Sequence, residues 1–359
     1  MSRFEDFRLP KFTKCKYRYI KLRNNIKCML VQDKESTKAA ATLFVASGSF
    51  NDPPEAQGLA HFCEHMLFLG TKKYPEENTY SKFIQAHGGS KNAATGENYT
   101  YYYFTIQNEF FSQALDIFSE FFKEPLFTES ATSREMNAVD NEFKKNLSNE
   151  TRRMLQVMSE MTRESNPCHH FGTGNLQTLD KENIHELLLA YYEKYYSANQ
   201  MCLCLVGNYS LDELEEMAID KFATIKDKGI SRRDFSLEAP IYKEDELGLI
   251  IKIVPIKNQK QLTIKWPELP VTDKMVLWRT RAMNYISHNI GHEGKNSLLS
   301  ELIRQGLATT CDSGTSHRFQ KSMPVFTLTI NMTDKGVENV DAIIHLVFAY
   351  INRLKEQGP

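Results

Sequence analysis

The stretch His61-Phe62-Cys63-Glu64-His65 constrains this chain more than any other, because its spacing suits metal chemistry on a helix. On an α-helix the two imidazoles lie one turn apart on one face, and Glu64 lies on the same side. A catalytic zinc site takes three protein ligands and keeps a fourth position for water. The order H-x-x-E-H is the inverzincin pattern, in which the glutamate is the general base. The motif therefore predicts that His61 and His65 bind zinc and that Glu64 is catalytic.

The residues around the motif favour a helix with a second, apolar face. An isolated five-residue match also occurs by chance on amphipathic helices, so the neighbours matter. Phe62, Met66 and Leu69 recur at helical spacing and form a packing face, while Gly70 suits a helix stop. The two histidines and the glutamate are thus gathered on the other side of the predicted helix.

A third ligand must come from elsewhere in the chain. The stretch from about residue 129 to residue 163 contains no proline and suits one long helix. Glu135 and Glu142 lie seven residues apart there and share a face. One of them could bind the metal while the other orients a ligand imidazole. The residues alone leave the choice open, and a solvated acidic stripe is the alternative.

From Gly58 to Pro75 the sequence resembles the zinc helix of the pitrilysin family of inverzincins, which includes the insulysins. The sequences around Glu142, Gly172 and Gly291 resemble those of the same family, so the resemblance covers essentially the whole chain. In that family the third ligand follows the second histidine by 77 residues, a count that reaches Glu142 here. The resemblance therefore implies Glu142 as a ligand, Glu135 as its supporting carboxylate, and one Zn²⁺ per chain.

The resemblance also implies two substrate-binding elements. Asn92 and Ala93 match the family's edge strand, which takes up an extended peptide by backbone hydrogen bonds. An ordinary hairpin strand is the alternative reading of that segment. Gly291 and Gly294, with a weaker match at Gly314, correspond to a glycine-rich exosite that anchors the substrate N-terminus away from the metal.

The expected function is a zinc metalloendopeptidase that hydrolyses short or flexible peptides. Zn²⁺ lowers the pKa of a bound water towards about 7 and polarises the scissile carbonyl, while Glu64 moves the proton to the leaving amine. The resembled enzymes have a second half that adds an arginine and a tyrosine, which have no counterpart in this sequence. The alternative is a non-catalytic zinc- or peptide-binding regulatory protein that pairs with a full-length relative. Expected partners are therefore a peptide substrate and a second copy or a related chain.

Charge and cysteine content narrow the class of protein further. Lys plus Arg number 44 against 45 for Asp plus Glu, so no basic field favours nucleic acid or a membrane surface. No run of 18 apolar residues suggests a membrane span, and the N-terminus lacks a signal-peptide core. Seven scattered cysteines are atypical of a secreted disulfide framework. We expect a cytoplasmic protein without nucleic-acid or membrane partners.

The length of 359 residues and the alternation of helix-like and strand-like segments predict an α+β chain of two domains. Residues 1–238 are the expected zinc-binding domain, with a mixed sheet and packed helices. A polar stretch over 225–240 suggests a linker. Residues 239–359 are expected to form a metal-free domain of similar, insulysin-like kind that stops about halfway. Its predicted elements include a strand over 250–254 and a helix over 273–287.

Overall fold

The computed structural model describes residues 2–233, 247–267, 279–316 and 325–358. Their contacts divide the chain into two compact units, with the boundary along the described sequence between residues 249 and 250. Each unit combines a β-sheet with helices, so the predicted α+β class is confirmed. The predicted boundary between residues 238 and 239 lies outside the described residues.

A seven-stranded sheet forms the centre of the first unit, with the order β1-β2-β3-β7-β4-β6-β5. The β3–β7 pair is parallel and the other pairs are antiparallel, which makes the sheet mixed. Strand β5 lies at one edge and pairs with β6. The strands are β1 (Ser2–Phe4), β2 (Lys16–Lys21), β3 (Lys27–Gln32), β4 (Lys38–Val45), β5 (Ser90–Thr95), β6 (Thr100–Gln107) and β7 (Met201–Gly207).

Alternation along these strands decides where the core lies. In β4 and β6 every second residue is buried, so one face of the sheet joins the helices in a common hydrophobic core. Aromatic rings of Tyr102, Phe104, Phe118 and Phe122 pack edge to face within it. The helices are α1 (Leu59–Met66), α2 (Thr79–Ala86), α3 (Phe111–Glu120), α4 (Glu129–Asn146), α5 (Glu150–Glu160), α6 (Leu176–Leu179), α7 (Ile184–Tyr195) and α8 (Leu211–Phe222).

The predicted single helix over 129–163 is wrong, because the helical conformation is interrupted between α4 and α5. The side chain of Asn149 accepts a hydrogen bond from the backbone N–H of Arg152 and so caps a new helix. Asparagine favours this position because its short amide satisfies a helix N–H that has no partner within the helix.

The second unit contains a three-stranded antiparallel sheet with the order β8-β10-β9. The predicted strand over 250–254 is wrong, since these residues do not form a strand in the structure, although their side chains suit one by propensity. Of the predicted helix over 273–287, residues 273–278 lie outside the described residues. Arg281 adopts the left-handed conformation with φ +48° and interrupts the rest, so the observed helix begins at Ala282 and ends at Ile290. The elements of the second unit are β8 (Gln261–Pro267), α9 (Ala282–Ile290), α10 (Leu298–Arg304), β9 (Ala308–Ser316), β10 (Val325–Met332), α11 (Asp334–Glu338) and α12 (Val340–Gln357).

Two further observations bear on the class of protein. All seven cysteines carry free thiols. Within the described ranges, every helix is too short or too polar to cross a membrane.

Candidate metal centre

The N-terminus of α1 is held by a buried aspartate that lies outside the helix. The carboxylate of Asp52 accepts hydrogen bonds from the backbone N–H groups of Gly58 and Ala60, both at 2.7 Å. These donors have no acceptor within the helix, so the carboxylate fixes where the helix starts. Gly58 has φ +92°, and a Cβ there would lie 2.2 Å from the Cα of Gly174. Glycine is therefore required where the two backbone segments cross.

Hydrogen bonds orient both imidazoles of α1 towards one point. The Nδ1 of His61 lies 2.7 Å from the carbonyl oxygen of Thr173, and the Nδ1 of His65 lies 2.7 Å from the Glu135 carboxylate. Each Nδ1–H donates to an oxygen, which leaves the Nε2 atoms as metal-ligating acceptors. The two Nε2 atoms are 3.2 Å apart.

The Glu142 carboxylate completes a triangle of ligand atoms. Its Oε2 lies 3.7 Å from Nε2 of His61 and 3.6 Å from Nε2 of His65. A point equidistant from the corners of such a triangle is about 2.0 Å from each, which matches Zn–N and Zn–O distances. No other group of three metal-binding side chains occurs in the described part of the chain. The three residues therefore fit a single zinc ion.

The site is open on one side, as a catalytic metal site must be. The exposed fractions of the side chains are 13% for His61, 23% for His65 and 40% for Glu142. Solvent and a substrate can reach the triangle from the side of Glu142. Three protein ligands and an accessible fourth position are typical of catalytic rather than structural zinc.

Helix α4 supplies both carboxylates of the site. Buried Val139 faces the core, and the side chain of Asp140 accepts a hydrogen bond from the backbone N–H of Leu176 at 3.1 Å. That contact ties α4 to the segment that carries Thr173. Because Glu135 and Glu142 are two turns apart on one face, one reaches the outer nitrogen of His65 and the other reaches the metal position.

Glu64 lies beside the triangle but outside it. Its carboxylate is buried and accepts a 2.5 Å hydrogen bond from the hydroxyl of Thr95, on edge strand β5. Burial raises the pKa of Glu64 above its ordinary value. A carboxylate of raised pKa next to a metal position is suited to accept a proton and to release it again.

The pKa values of the three ligands differ in direction. Burial, together with the neighbouring His65, lowers the pKa of His61. Burial opposes the charged form of His65 as well, but attraction to Glu135 and Glu142 outweighs it and raises the pKa of His65 to about 9. The interaction with His65 lowers the pKa of Glu142 to about 2. At neutral pH a metal ion therefore competes with one proton, the proton on His65.

We expect zinc affinity to rise with pH for this reason. Between about pH 6.5 and 8.5 the association constant should increase about tenfold per unit, because one proton leaves His65 for each zinc bound. Competition against a chromophoric chelator at fixed ionic strength measures this slope. A pH-independent association constant would contradict the assigned charge of His65.

We also expect Glu135→Gln to weaken zinc binding about 10–100-fold, the usual cost of losing an outer hydrogen-bond partner of a ligand histidine. Glutamine keeps the shape of the side chain but removes the charge that steadies the His65 ring. The same chelator competition measures the effect. Glu129→Gln, an exposed carboxylate in the first turn of the same helix, is the matched control and should bind zinc like the parent protein.

The predicted substrate-binding residues of the first unit lie on strand β5. Asn92 is exposed, whereas Ala93 is partly buried and packs against the core. Since Thr95 on the same strand holds Glu64, the structure brings this edge next to the predicted catalytic base. The side of β5 that faces away from β6 carries no described strand, so its backbone groups are available to a peptide.

The predicted exosite glycines lie in the second unit, around the end of α9. Gly291 ends that helix, and a Cβ there would lie 3.0 Å from the hydroxyl of Ser313 on β9. Ser287 and Ser313 exchange hydrogen bonds of 2.7 and 2.8 Å between their hydroxyls and backbone carbonyls. The structure thus joins Gly291 to the strand that contains Gly314, while Gly294 follows in the next turn. Their role in substrate binding stays a prediction.

Sequence analysis missed three residues of the site. Asp52 precedes two prolines and the glycine that starts α1, a pattern compatible with a cap but not diagnostic. Thr173 lies between two glycines, a weak signal of close backbone approach. Thr95 carries no local signal, because only the packing of β5 beside α1 brings its hydroxyl to Glu64.

Known proteins match this chain over nearly its whole length. The family model described as Insulinase (Peptidase family M16) matches residues 27–169, and the model described as Peptidase M16 inactive domain matches residues 183–359. The chain is 40% identical over 361 residues to the A-factor-processing enzyme of Saccharomyces cerevisiae, covering 99% of this chain and 34% of that protein. It is 40% identical over 352 residues to the insulin-degrading enzyme of Homo sapiens, covering 96% and 34%.

The structure is similar to the crystal structure of pitrilysin, with a TM-score of 0.94 and 31% identity. That match covers 100% of this chain and 38% of the pitrilysin chain. The chain therefore spans about a third of the length of the curated relatives it matches. The expected resemblance to the pitrilysin and insulysin enzymes is confirmed, and the chain belongs to peptidase family M16, the insulinase family.

Proposed function

We propose that this protein is a zinc metalloendopeptidase that hydrolyses short or flexible peptides. The observation that carries the proposal is that three side chains form a metal-binding cluster while a fourth, acidic side chain lies beside it and is not part of it. His61, His65 and Glu142 converge on one point, while Glu64 is buried beside them and takes no part in the triangle. A site that only stored metal would have no chemical need for that additional buried carboxylate.

The chain's own residues account for the proton movements. Bound Zn²⁺ would supply a Lewis acid that activates water and polarises the scissile carbonyl. Glu64 accepts the proton of the attacking water and returns it to the leaving amine, as its raised pKa allows. Thr95 restricts the Glu64 carboxylate to one orientation through its hydrogen bond. His65 stays oriented by Glu135 throughout.

Strand β5 supports an extended peptide as the substrate. A segment that adds to this edge would form backbone hydrogen bonds beside Asn92 and Ala93 and would pass Thr95, which contacts the base. Flexible peptides suit this mode because they extend at little cost, whereas a folded domain presents few free strands. Two of the relatives are named for insulin degradation and for A-factor processing, which supports peptides as the substrate class.

Cleavage of quenched fluorescent peptides by the purified, zinc-loaded protein tests the proposal. We expect cleavage that chelator removes and that zinc restores. A protein that holds one zinc per chain and binds peptides without cleaving any of them would contradict it and would favour the non-catalytic, peptide-binding alternative. Association with a second copy or a related chain, and a cytoplasmic location, stay predictions.

A further inference from the structure

Lys91 on edge strand β5 is a cation that forms no ion pair within the described part of the chain. Its Nζ lies 4.3 Å from the ring centroid of Phe68 and 5.8 Å from that of Tyr80. Neither a hydrogen bond nor an ion pair joins its ammonium group to another side chain among the described residues. Glu76 and Glu77 line the same small cavity as the two rings, but Glu77 is engaged at 2.5 Å by Arg134 and neither carboxylate forms an ion pair with Lys91.

The environment of Lys91 favours a negative partner. The side chain is only partly exposed, and this partial burial lowers its pKa. The two aromatic faces attract the cation and hold it in place, but they do not neutralise it. An ammonium group that is already partly dehydrated and positioned loses less on forming an ion pair than a freely mobile surface lysine does.

The alternation of β5 places Lys91 on the same side of the sheet as the catalytic machinery. Thr95, which contacts Glu64, lies four residues further along the strand. Successive side chains of a strand point to opposite faces, so Lys91, Ala93 and Thr95 share the face that packs beside α1. The distance from Lys91 to Thr95 along the strand is about 14 Å.

A peptide added to β5 would bring its own side chains next to these residues. Directly opposite residues of an antiparallel pair point to the same face, with Cβ atoms about 4.5–5.5 Å apart. A carboxylate opposite Lys91 would then lie within reach of the ammonium group. In the antiparallel direction, that residue follows the one opposite Thr95 by four positions towards the peptide's C-terminus.

We propose that Lys91 is a specificity-determining residue. It selects peptides that carry an acidic side chain four positions C-terminal to the peptide residue that lies opposite Thr95. The proposal rests on the proposed peptidase function and adds a substrate class to it. It applies to peptides bound as a strand on β5, since only that register sets the spacing.

The test uses fluorogenic decapeptides in which one aspartate is moved through the positions on both sides of the cleaved bond, each with an asparagine counterpart. The readout is the ratio of kcat/KM for the aspartate and asparagine peptides, taken separately for each protein. In the parent protein we expect this ratio to reach about 5 at one position and to stay near 1 elsewhere. In Lys91→Met it should fall to about 1 at that position, and in Lys91→Glu it should fall below 1.

Lys82→Met is the matched control, because Lys82 is an exposed lysine on neighbouring α2 and should leave the ratio unchanged. An equal ratio in the parent protein and Lys91→Met at every position would overturn the proposal. Binding of fluorescein-labelled versions of the same peptides, measured by anisotropy, tests the role of Lys91 separately from the peptidase function. A Lys91-dependent preference for aspartate in binding without any cleavage would support Lys91 and overturn the peptidase function, whereas binding without such a preference would overturn the role of Lys91.

Discussion

Replacing Glu64 by glutamine should remove peptide cleavage and leave one zinc per chain. The variant keeps the size of the side chain and an acceptor for the Thr95 hydroxyl, but it lacks a group that can take up a proton. General acid–base catalysis contributes about 10²–10⁴-fold, so we expect kcat to fall by at least that factor. Initial rates on a quenched peptide and elemental analysis of the same sample measure both properties.

Glu55→Gln is the control for this variant, since Glu55 is an exposed carboxylate shortly before the same helix. It should keep both zinc and activity. Loss of zinc in Glu64→Gln would instead show that Glu64 is a ligand. Full activity in Glu64→Gln would show that another group is the base.

Removing any one of the three ligands should release the metal. His61→Ala, His65→Ala and Glu142→Gln each leave two ligands, and we expect zinc affinity to fall by more than about 100-fold. This exceeds the usual cost of losing an outer partner, because a direct metal bond is lost. Zinc content after dialysis against a weak chelator measures the effect, and thermal melts of the metal-free proteins identify any variant that has failed to fold.

The comparison between positions is more informative than any one variant. Glu135→Gln lies on the same helix face as Glu142→Gln and contacts the same histidine, yet it should weaken zinc binding less. Equal zinc stoichiometry in the three ligand variants and the parent protein would rule out the assigned site. A larger loss of zinc affinity in Glu135→Gln than in Glu142→Gln would show that the roles of the two carboxylates are the reverse of those assigned.

Much of the local structure could be predicted because its signals lie close together in the chain. The spacing of His61, Glu64 and His65 predicts a helix, and the structure places the three residues on α1. Two asparagines, a residue type that favours turns, precede Ile26, and Asn25 adopts the left-handed conformation with φ +70° between β2 and β3. Both patterns depend on backbone geometry over a few residues, which a sequence states directly.

Local signals failed at two segments, for different reasons. The text over 129–163 has the composition of one helix, but the amide of Asn149 caps a second helix and ends the continuity. Residues 250–254 are mostly apolar and have strand propensity, yet they do not form a strand. Strand pairing is a property of the whole fold, so propensity alone predicts too many strands.

The amino-acid sequence by itself determined the family to which the chain belongs and the H-x-x-E-H motif on α1, from which it predicted two metal ligands and a general base. It left Glu135 and Glu142 interchangeable on physical grounds, because both lie on one face of one helix. The family resemblance implied Glu142 as the ligand, and the tertiary structure supplied the physical reason by placing Glu135 on Nδ1 of His65 and Glu142 near both Nε2 atoms. Only it brought the Thr95 hydroxyl to Glu64 and the Thr173 carbonyl to His61. The first contact joins residues that are 31 positions apart in the sequence, and the second joins residues that are 112 positions apart. Such contacts depend on how helices and strands pack, and no periodicity within a short window of sequence encodes them.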